Sequence, residues 1–265
     1  MGASDAETVG RCGCVSIERR ERLAIVRFAR PDARVNPLSL ALMRDLIEAA
    51  RAFDEDADTA AVVLTGRPEA FSAGLDLRDP ETGALASADL DRRRALAAIG
   101  RRMLDAWSGL APVTVAAVEG PCLGGGLTLA AVLDFRTAGR SAEFGAPEVP
   151  VGLNMAWGSL AHLVALVGVQ ATRRLVLADE RLTAAEALGL GLVDRVADDG
   201  AALDAACAYA ERLAGLPVAP LRMAKRAIAA LIQASGAATA LDADQFVAAA
   251  SSEAFAASLR SFKRP

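Results

Sequence analysis

Apolar and polar residues alternate along this chain with two different periods, and each period predicts a different kind of element. Residues 14–30 hold two short runs of alternating apolar positions around a charged turn, which predicts a β-hairpin. Residues 60–66 and 111–120 are nearly continuous apolar runs, as expected of strands buried on both faces. Such strands are typical of a parallel sheet that is covered by helices.

Other segments place their apolar residues at helical spacing. An apolar stripe follows Asn36 and Pro37, so we expect Asn36 to cap a helix that has the proline at its first position. Residues 91–107 are amphipathic, with apolar residues opposed by arginines. Thr183 precedes Glu186 by three positions, which is the spacing of a capping box at the start of a further helix.

The order of these elements predicts an α/β fold with largely parallel strand pairing. Strand, turn and helix alternate as far as about residue 200, whereas the remainder has only helical patterns. We therefore divide the chain into a flexible polar leader (1–11), a core (12–200) and a C-terminal helical region (201–265).

Composition and charge exclude several classes of function. The 265 residues carry a net charge of −4, so the chain has no basic footprint for nucleic acid. Its most apolar region, 109–135, is interrupted by glycine, proline and glutamate, so we predict no membrane-spanning segment. The first twenty residues do not resemble a secretory signal, and we expect a cytoplasmic protein. Four scattered cysteines and a single histidine predict reduced thiols and no metal site.

Two glycine-containing bends each follow a predicted buried strand. The first is FSAGLDL (71–77) and the second is PCLGGGLTL (121–129), and both lead into apparent helices. Glycine lets a ligand approach the backbone closely, and amides at the start of a helix have no intrahelical acceptor. The bends are therefore either two sets of N–H donors for a negative oxygen or tight turns. The second bend lacks the Lys-Ser or Lys-Thr of a nucleotide-binding loop.

Six segments, in this order and at these separations, resemble the crotonase superfamily of enoyl-CoA hydratases and isomerases. The likeness extends from about residue 17 to the C-terminus, and the segments are FARPDARVNPLSLALMRDL, VVLTG, AFSAGLDL, PVTVAAVEGPCLGGGLTLAAVLDFRTAG, EFGAPEVPVGL and RLTAAEALGLGLVDRV. The resemblance implies a crotonase-like spiral of ββα turns with a C-terminal helical region that forms homotrimers, often paired into hexamers.

The resemblance also implies the substrate, an acyl-CoA thioester in which coenzyme A is part of the substrate and no separate cofactor is needed. In this superfamily two backbone N–H groups hold the thioester carbonyl oxygen as it becomes an enolate. The matching donors here are the amides of Leu75 and Gly125, with Gly124 beside the second donor. Stabilisation of this kind is worth about 3–4 kcal/mol for each donor.

The catalytic groups depart from the hydratase pattern at one position. Hydratases of the superfamily use two glutamates; the second is matched by Glu148 in EFGAPE, but Thr128 stands in place of the first. A hydroxyl cannot act as a general base near neutral pH without an activator. A single carboxylate at Glu148 favours isomerase-like proton transfer, with weak hydration through a water held by Thr128 as another possibility. Alternatively, Glu148 caps backbone amides, Thr128 bonds a carbonyl one turn back, and the chain is an inactive acyl-CoA carrier or regulator.

The remaining candidates concern substrate binding. By resemblance, Ala73 and Leu77 lie beside the adenine pocket, and Phe262 and Lys263 of the C-terminal helix approach the nucleotide from a neighbouring subunit. Arg34 is another candidate for the phosphates of coenzyme A.

Asp76 and Trp157 are two further candidate residues. Asp76 follows the first bend and is expected chiefly to cap it. Trp157 and Met155 are bulky residues in a segment, 155–159, where relatives usually have a proline and then Ala-Gly-Gly. Trp157 therefore either reshapes the acyl pocket or belongs to the core.

Overall fold

The computed structural model describes residues 6–235 and 242–262. Over these residues it contains a seven-stranded sheet and a three-stranded sheet. The ten strands are β1 (Glu7–Val9), β2 (Val15–Arg20), β3 (Leu23–Phe28), β4 (Ala61–Thr65), β5 (Val113–Val118), β6 (Pro121–Leu123), β7 (Phe135–Gly139), β8 (Glu143–Gly145), β9 (Leu182–Thr183) and β10 (Arg195–Ala197).

Ten helices surround these sheets in the described part of the chain. They are α1 (Leu40–Arg51), α2 (Pro80–Ser87), α3 (Leu90–Ser108), α4 (Gly125–Ala131), α5 (Ser159–Leu177), α6 (Ala184–Gly189), α7 (Ala202–Ala214), α8 (Val218–Ser235), α9 (Asp242–Ala250) and α10 (Glu253–Phe262). The predicted hairpin, both buried strands, the 91–107 helix and the Thr183–Glu186 capping box are confirmed.

The larger sheet has the order β1-β2-β3-β4-β5-β7-β10. Strands β1 to β3 pair antiparallel, and the pairings from β3 through β10 are parallel. Strands β4 and β5 are buried along their whole length, which explains their continuous apolar sequences. The smaller sheet, β6-β8-β9, carries the strand that enters the second glycine bend.

Helices cover both faces of the larger sheet. Most of the core lies between one face and the helices α1, α3 and α4. On the other face, Ala206 and Ala210 of α7 are completely buried against β4 and β5. Helix α7 begins where the buried carboxylate of Glu119 accepts a hydrogen bond from the amide of Ala202 at 2.9 Å. The first helix of the C-terminal region is thus part of the layer that encloses the sheet.

Two local predictions differ from the structure. Residues 7–9, expected in a loose leader, form β1 because β2 offers an unpaired edge. Helix α1 begins at Leu40 with Ser39 as its cap, whose hydroxyl accepts from the amide of Leu42. Asn36 is instead buried with φ +51°, and its amide group bonds three backbone groups of other segments. Those non-local bonds hold it outside the helix.

Helix α5 has the length and apolar composition of a bilayer-spanning helix, with a mean hydropathy of 1.4. The sequence prediction of no membrane-spanning segment did not anticipate this. Gly168, however, has φ 75° and ψ 168° inside the helix. This break divides α5 into two segments, each well short of the roughly 20 residues that a span requires.

Candidate active site

A cavity of about 1090 Å³ lies where the two glycine bends meet. Eight of the residues singled out from the sequence line it: Arg34, Ala73, Leu75, Asp76, Leu77, Gly124, Glu148 and Phe262. Gly125, Thr128 and Trp157 are not among the lining residues, although Gly125 directly follows Gly124, and Lys263 falls outside the described residues. The cavity therefore brings together segments that are far apart in sequence.

The first bend is held by main-chain hydrogen bonds to the segment before α1. The amide of Leu38 donates to Gly74 at 2.7 Å, and the amide of Asp76 donates to the carbonyl of Leu38 at 3.0 Å. Between these bonds the amide of Leu75 donates to no acceptor in the described chain. The bend does not lead directly into a helix as expected, because α2 begins only at Pro80. The Leu75 amide is thus left free by this pairing.

The second bend ends at the start of α4. Gly124 has φ +49°, a conformation that favours glycine, and its amide donates to the carbonyl of Gly145 at 2.9 Å. Gly125 is the first residue of α4, so its amide has no acceptor one turn back. A second unpartnered backbone donor therefore lies at this bend.

The two bends are in van der Waals contact. A Cβ on Gly74 would lie 2.8 Å from the carbonyl oxygen of Leu123 and 3.0 Å from the amide nitrogen of Gly125. The amide of Leu123 also donates to the carbonyl of Ser72 at 2.8 Å. Gly74 is therefore required both by close backbone approach and by its left-handed conformation (φ +87°).

The carboxyl group of Glu148 lies against the second bend. A Cβ on Gly124 would be 2.7 Å from Oε1 of Glu148. Oε2 is buried and has no hydrogen-bond partner in the described structure. Burial raises the pKa of Glu148 to about 7; Asp179 adds to the rise, and Arg181 opposes it. This carboxyl is therefore poised to accept and release a proton near neutral pH.

Thr128 is buried one turn into α4, and its hydroxyl donates to the carbonyl of Gly125 at 2.8 Å. This is the bond to a carbonyl one turn back that the sequence allowed. The hydroxyl proton is thus already used inside the helix.

Asp76 stabilises the first bend. Its carboxylate accepts from the amide of Arg78 at 2.9 Å and pairs with the Arg30 guanidinium at 3.1 Å. The expected capping role is confirmed. Arg78 in turn donates through Nε to the carbonyl of Phe262 at 3.0 Å, so the chain's own helix α10 reaches the cavity.

Sequence reasoning missed several residues of this cavity, including Arg78, Arg181 and the two thiols of Cys12 and Cys14. Arg181 packs its side chain over Gly145, which has no Cβ to exclude it. That contact joins the start of β9 to the end of β8. Periodicity along the chain carries no signal for such a contact.

Comparison with known proteins identifies the family of this chain. A family model described as enoyl-CoA hydratase/isomerase matches residues 18–264. The chain is 36% identical over 211 residues to a probable enoyl-CoA hydratase of Mycobacterium avium, covering 80% of this chain and 79% of that protein. It is 33% identical over 214 residues to a probable mitochondrial enoyl-CoA hydratase of Dictyostelium discoideum, covering 80% and 73%.

Solved structures of other proteins superpose on this chain. An enoyl-CoA hydratase/isomerase from Mycobacterium paratuberculosis superposes with a TM-score of 0.85 at 26% identity, covering 94% of this chain and 98% of that one. DspI of Pseudomonas aeruginosa gives a TM-score of 0.73 at 33% identity, covering 84% and 87%. The predicted crotonase-like α/β fold is confirmed. The chain is therefore an acyl-CoA enzyme of the enoyl-CoA hydratase/isomerase family.

Proposed function

We propose that the amides of Leu75 and Gly125 together hold the carbonyl oxygen of an acyl-CoA thioester. The observation that supports this proposal is the contact between the two bends. Each bend has a free N–H group, at Leu75 and at Gly125, and the carboxyl of Glu148 lies against Gly124 of the second bend. Backbone donors fixed in advance stabilise an enolate oxygen without reorganising during the reaction.

Glu148 then acts as the sole acid/base in a shift of the double bond. Its carboxylate removes a proton from the carbon between the thioester carbonyl and the double bond of a 3-enoyl-CoA. The electron pair moves into a dienolate, whose oxygen charge is held by the two amides. The protonated Glu148 returns the proton two carbons further along, which gives the conjugated 2-enoyl-CoA. A carboxyl with a pKa of about 7 suits both halves of this transfer.

Isomerisation is favoured over hydration because Thr128 replaces the first of the two glutamates that hydratases use. Hydration needs one group to activate water and another to protonate carbon, and Thr128 donates its hydroxyl proton to Gly125. A water held by Thr128 would support only weak hydration. We assign Arg34, Ala73, Leu77 and Phe262, which line the cavity, to the coenzyme A portion of the substrate. Trimeric or hexameric assembly and a cytoplasmic location stay predictions.

Two substrates test the proposal in one optical assay. Incubation with a 3-enoyl-CoA should increase the absorbance of the conjugated enoyl thioester, whereas crotonyl-CoA should lose absorbance slowly or not at all. Rapid loss with crotonyl-CoA would establish hydration instead. Binding of both without turnover would establish the carrier.

Replacement of the carboxyl tests its role. Glu148→Gln should lower kcat by about 10²–10⁴-fold while acyl-CoA binding is kept. Glu143→Gln is the matched control, since Glu143 begins the same EFGAPE segment, is exposed and pairs with Arg181 at 2.9 Å. Activity of Glu148→Gln close to that of Glu143→Gln would remove Glu148 from the mechanism.

A further inference from the structure

Trp157 occupies an unusual backbone position next to the proposed oxyanion site. Its φ is +65°, in the left-handed region that large side chains rarely adopt, and the following Gly158 has φ +76°. The amide of Gly158 donates to the carboxylate of Asp242 at 2.6 Å, which ties this turn to α9. A strained residue held in this way by its surroundings points to a role for its side chain.

The indole of Trp157 fills a slot between α3 and α4. A Cβ on Gly125 would lie 2.8 Å from Cζ3 and 3.1 Å from Cη2 of the indole. On the opposite helix, a Cβ on Gly100 would overlap the same ring at Cε2 and Cδ2. Two glycines that face each other across α3 and α4 thus leave a space that the ring occupies.

This slot is next to the cavity, because the indole packs against Gly125 and the preceding Gly124 lines the cavity wall. The wall there includes Leu123, Glu148 and the buried Leu153, four residues before Trp157. The outer rim is formed by exposed residues such as Asp32 and Arg34. Coenzyme A must leave towards the rim, so an acyl tail extending away from it points inward, where the next space is filled by the indole.

We propose that Trp157 closes the inner end of the acyl pocket and restricts this enzyme to short-chain acyl-CoA substrates. The proposal rests on the proposed function, because it needs the thioester carbonyl to sit at Gly125. Each methylene that enters an apolar pocket raises affinity by up to about fourfold. That gain stops when the tail reaches the ring.

The test measures the affinity of saturated acyl-CoAs, which bind but do not react, by calorimetry. The series runs from acetyl-CoA through butyryl-, hexanoyl- and octanoyl- to dodecanoyl-CoA. For the wild type we expect affinity to rise over the first members and then to fall. Trp157→Gly, chosen because glycine tolerates a positive φ, should raise the affinity for dodecanoyl-CoA relative to butyryl-CoA at least about tenfold.

The chain's other tryptophan provides the matched control. Trp107 is fully buried, and its indole donates to the carbonyl of Leu46 at 3.1 Å, between α3 and α1. Trp107→Phe should lower stability without changing the chain-length profile. If Trp157→Gly does not fold, Trp157→Phe removes part of the ring and should shift the affinity maximum to longer chains.

The outcomes separate the two proposals. If no acyl-CoA binds to the wild type, the proposed function fails. If acyl-CoAs bind but the wild type accepts dodecanoyl-CoA as tightly as butyryl-CoA, or if the Trp157 variants keep the wild-type profile, the tail takes another route. The role of Trp157 is then wrong while the proposed function stands.

Discussion

At the scale of single residues, the surroundings of Glu148 and Thr128 determine what each side chain can do in this site. Glu148 has a buried oxygen without a hydrogen-bond partner in the described chain, and Thr128 has a hydroxyl bound to its own helix. A carboxyl in such surroundings holds its proton more tightly than one in water. A hydroxyl that already donates its proton to a backbone carbonyl is less able to donate it to a substrate.

The raised pKa of Glu148 predicts how activity depends on pH. Proton removal needs the carboxylate, so kcat/KM should rise with pH through about 7 and then level off. Rates measured between pH 5 and 9 with a 3-enoyl-CoA test this. A profile that is flat down to about pH 5 would mean that the Glu148 carboxyl titrates as it does in water or is not the base.

The same shift predicts a stability effect with a definite sign. Because the folded-state pKa lies above the ordinary value of 4.5, Glu148 favours folding below that value, and the benefit is lost as pH rises through about 7. Glu148→Gln stays neutral and should exceed the wild type in free energy of unfolding by roughly 1–3 kcal/mol at pH 8. The difference should vanish below pH 4.5 in urea titrations. If Glu148→Gln and the wild type have the same free energy of unfolding at pH 8 as well as below pH 4.5, this prediction is wrong.

Thr128 has a predicted effect of its own. Thr128→Val keeps the shape and removes the bond to Gly125, so we expect a loss of about 1 kcal/mol in the free energy of unfolding and a kcat within about threefold of the wild type. Urea unfolding and the isomerisation assay check both. A tenfold or larger fall in kcat would show that the hydroxyl positions a reacting group.

At the scale of elements, two bends become one site because both lack side chains where they touch. Strand pairing brings the carboxyl ends of β4 and β5 together, and each bend follows one of these strands. Leu38, before α1, then takes up both flanking hydrogen bonds of the first bend and leaves the Leu75 amide unpaired. The free amide of the first bend therefore results from hydrogen bonding between neighbouring segments.

Gly74→Ala should separate the bends. The new methyl group would meet Leu123 and Gly125 at 2.8 and 3.0 Å, so we expect a loss of at least about 100-fold in kcat, comparable with removal of an oxyanion donor.

Gly200→Ala is the matched control. Its φ of +82° imposes similar backbone strain, but no described atom lies within 4 Å of its new Cβ. If the two variants lose equal activity, backbone strain rather than the contact between the bends is responsible.

At the scale of the whole molecule, helix α8 of the C-terminal region is attached to the sheet by partly buried polar contacts. Lys225 of α8 donates to the carbonyl of Pro112 and to the carboxylate of Asp134, each at 2.7 Å. Asp134 also accepts from the amide and hydroxyl of Thr114 at the start of β5. Asp134, which lies between α4 and β7, thus joins the start of β5 to α8.

Lys225→Met should lower the free energy of unfolding by about 2 kcal/mol, because Asp134 loses a partly buried charged partner but keeps its bonds to Thr114. Activity per folded molecule should be unchanged. Arg226→Met is the control, since Arg226 is exposed on the same helix. Equal urea midpoints for the two variants would show that the Lys225 contact contributes nothing to stability.

The sequence by itself determined the elements and the family. Local periodicity was enough for the hairpin, the buried strands β4 and β5 and the helix α3, because apolar spacing depends only on which faces are buried. The order of motifs was enough to identify the crotonase resemblance and to single out Glu148.

Only the tertiary structure decided what those residues do. Asn36 leaves its expected helix because its bonding partners are distant in sequence. Leu75 keeps a free amide because Leu38 pairs with its neighbours. Trp157 and Phe262 take their places through contacts with other helices or bends. The pKa of Glu148 depends on the dielectric and charges around it in space. These are long-range contacts, and a pattern along the chain records which residues prefer burial but not which partners they meet.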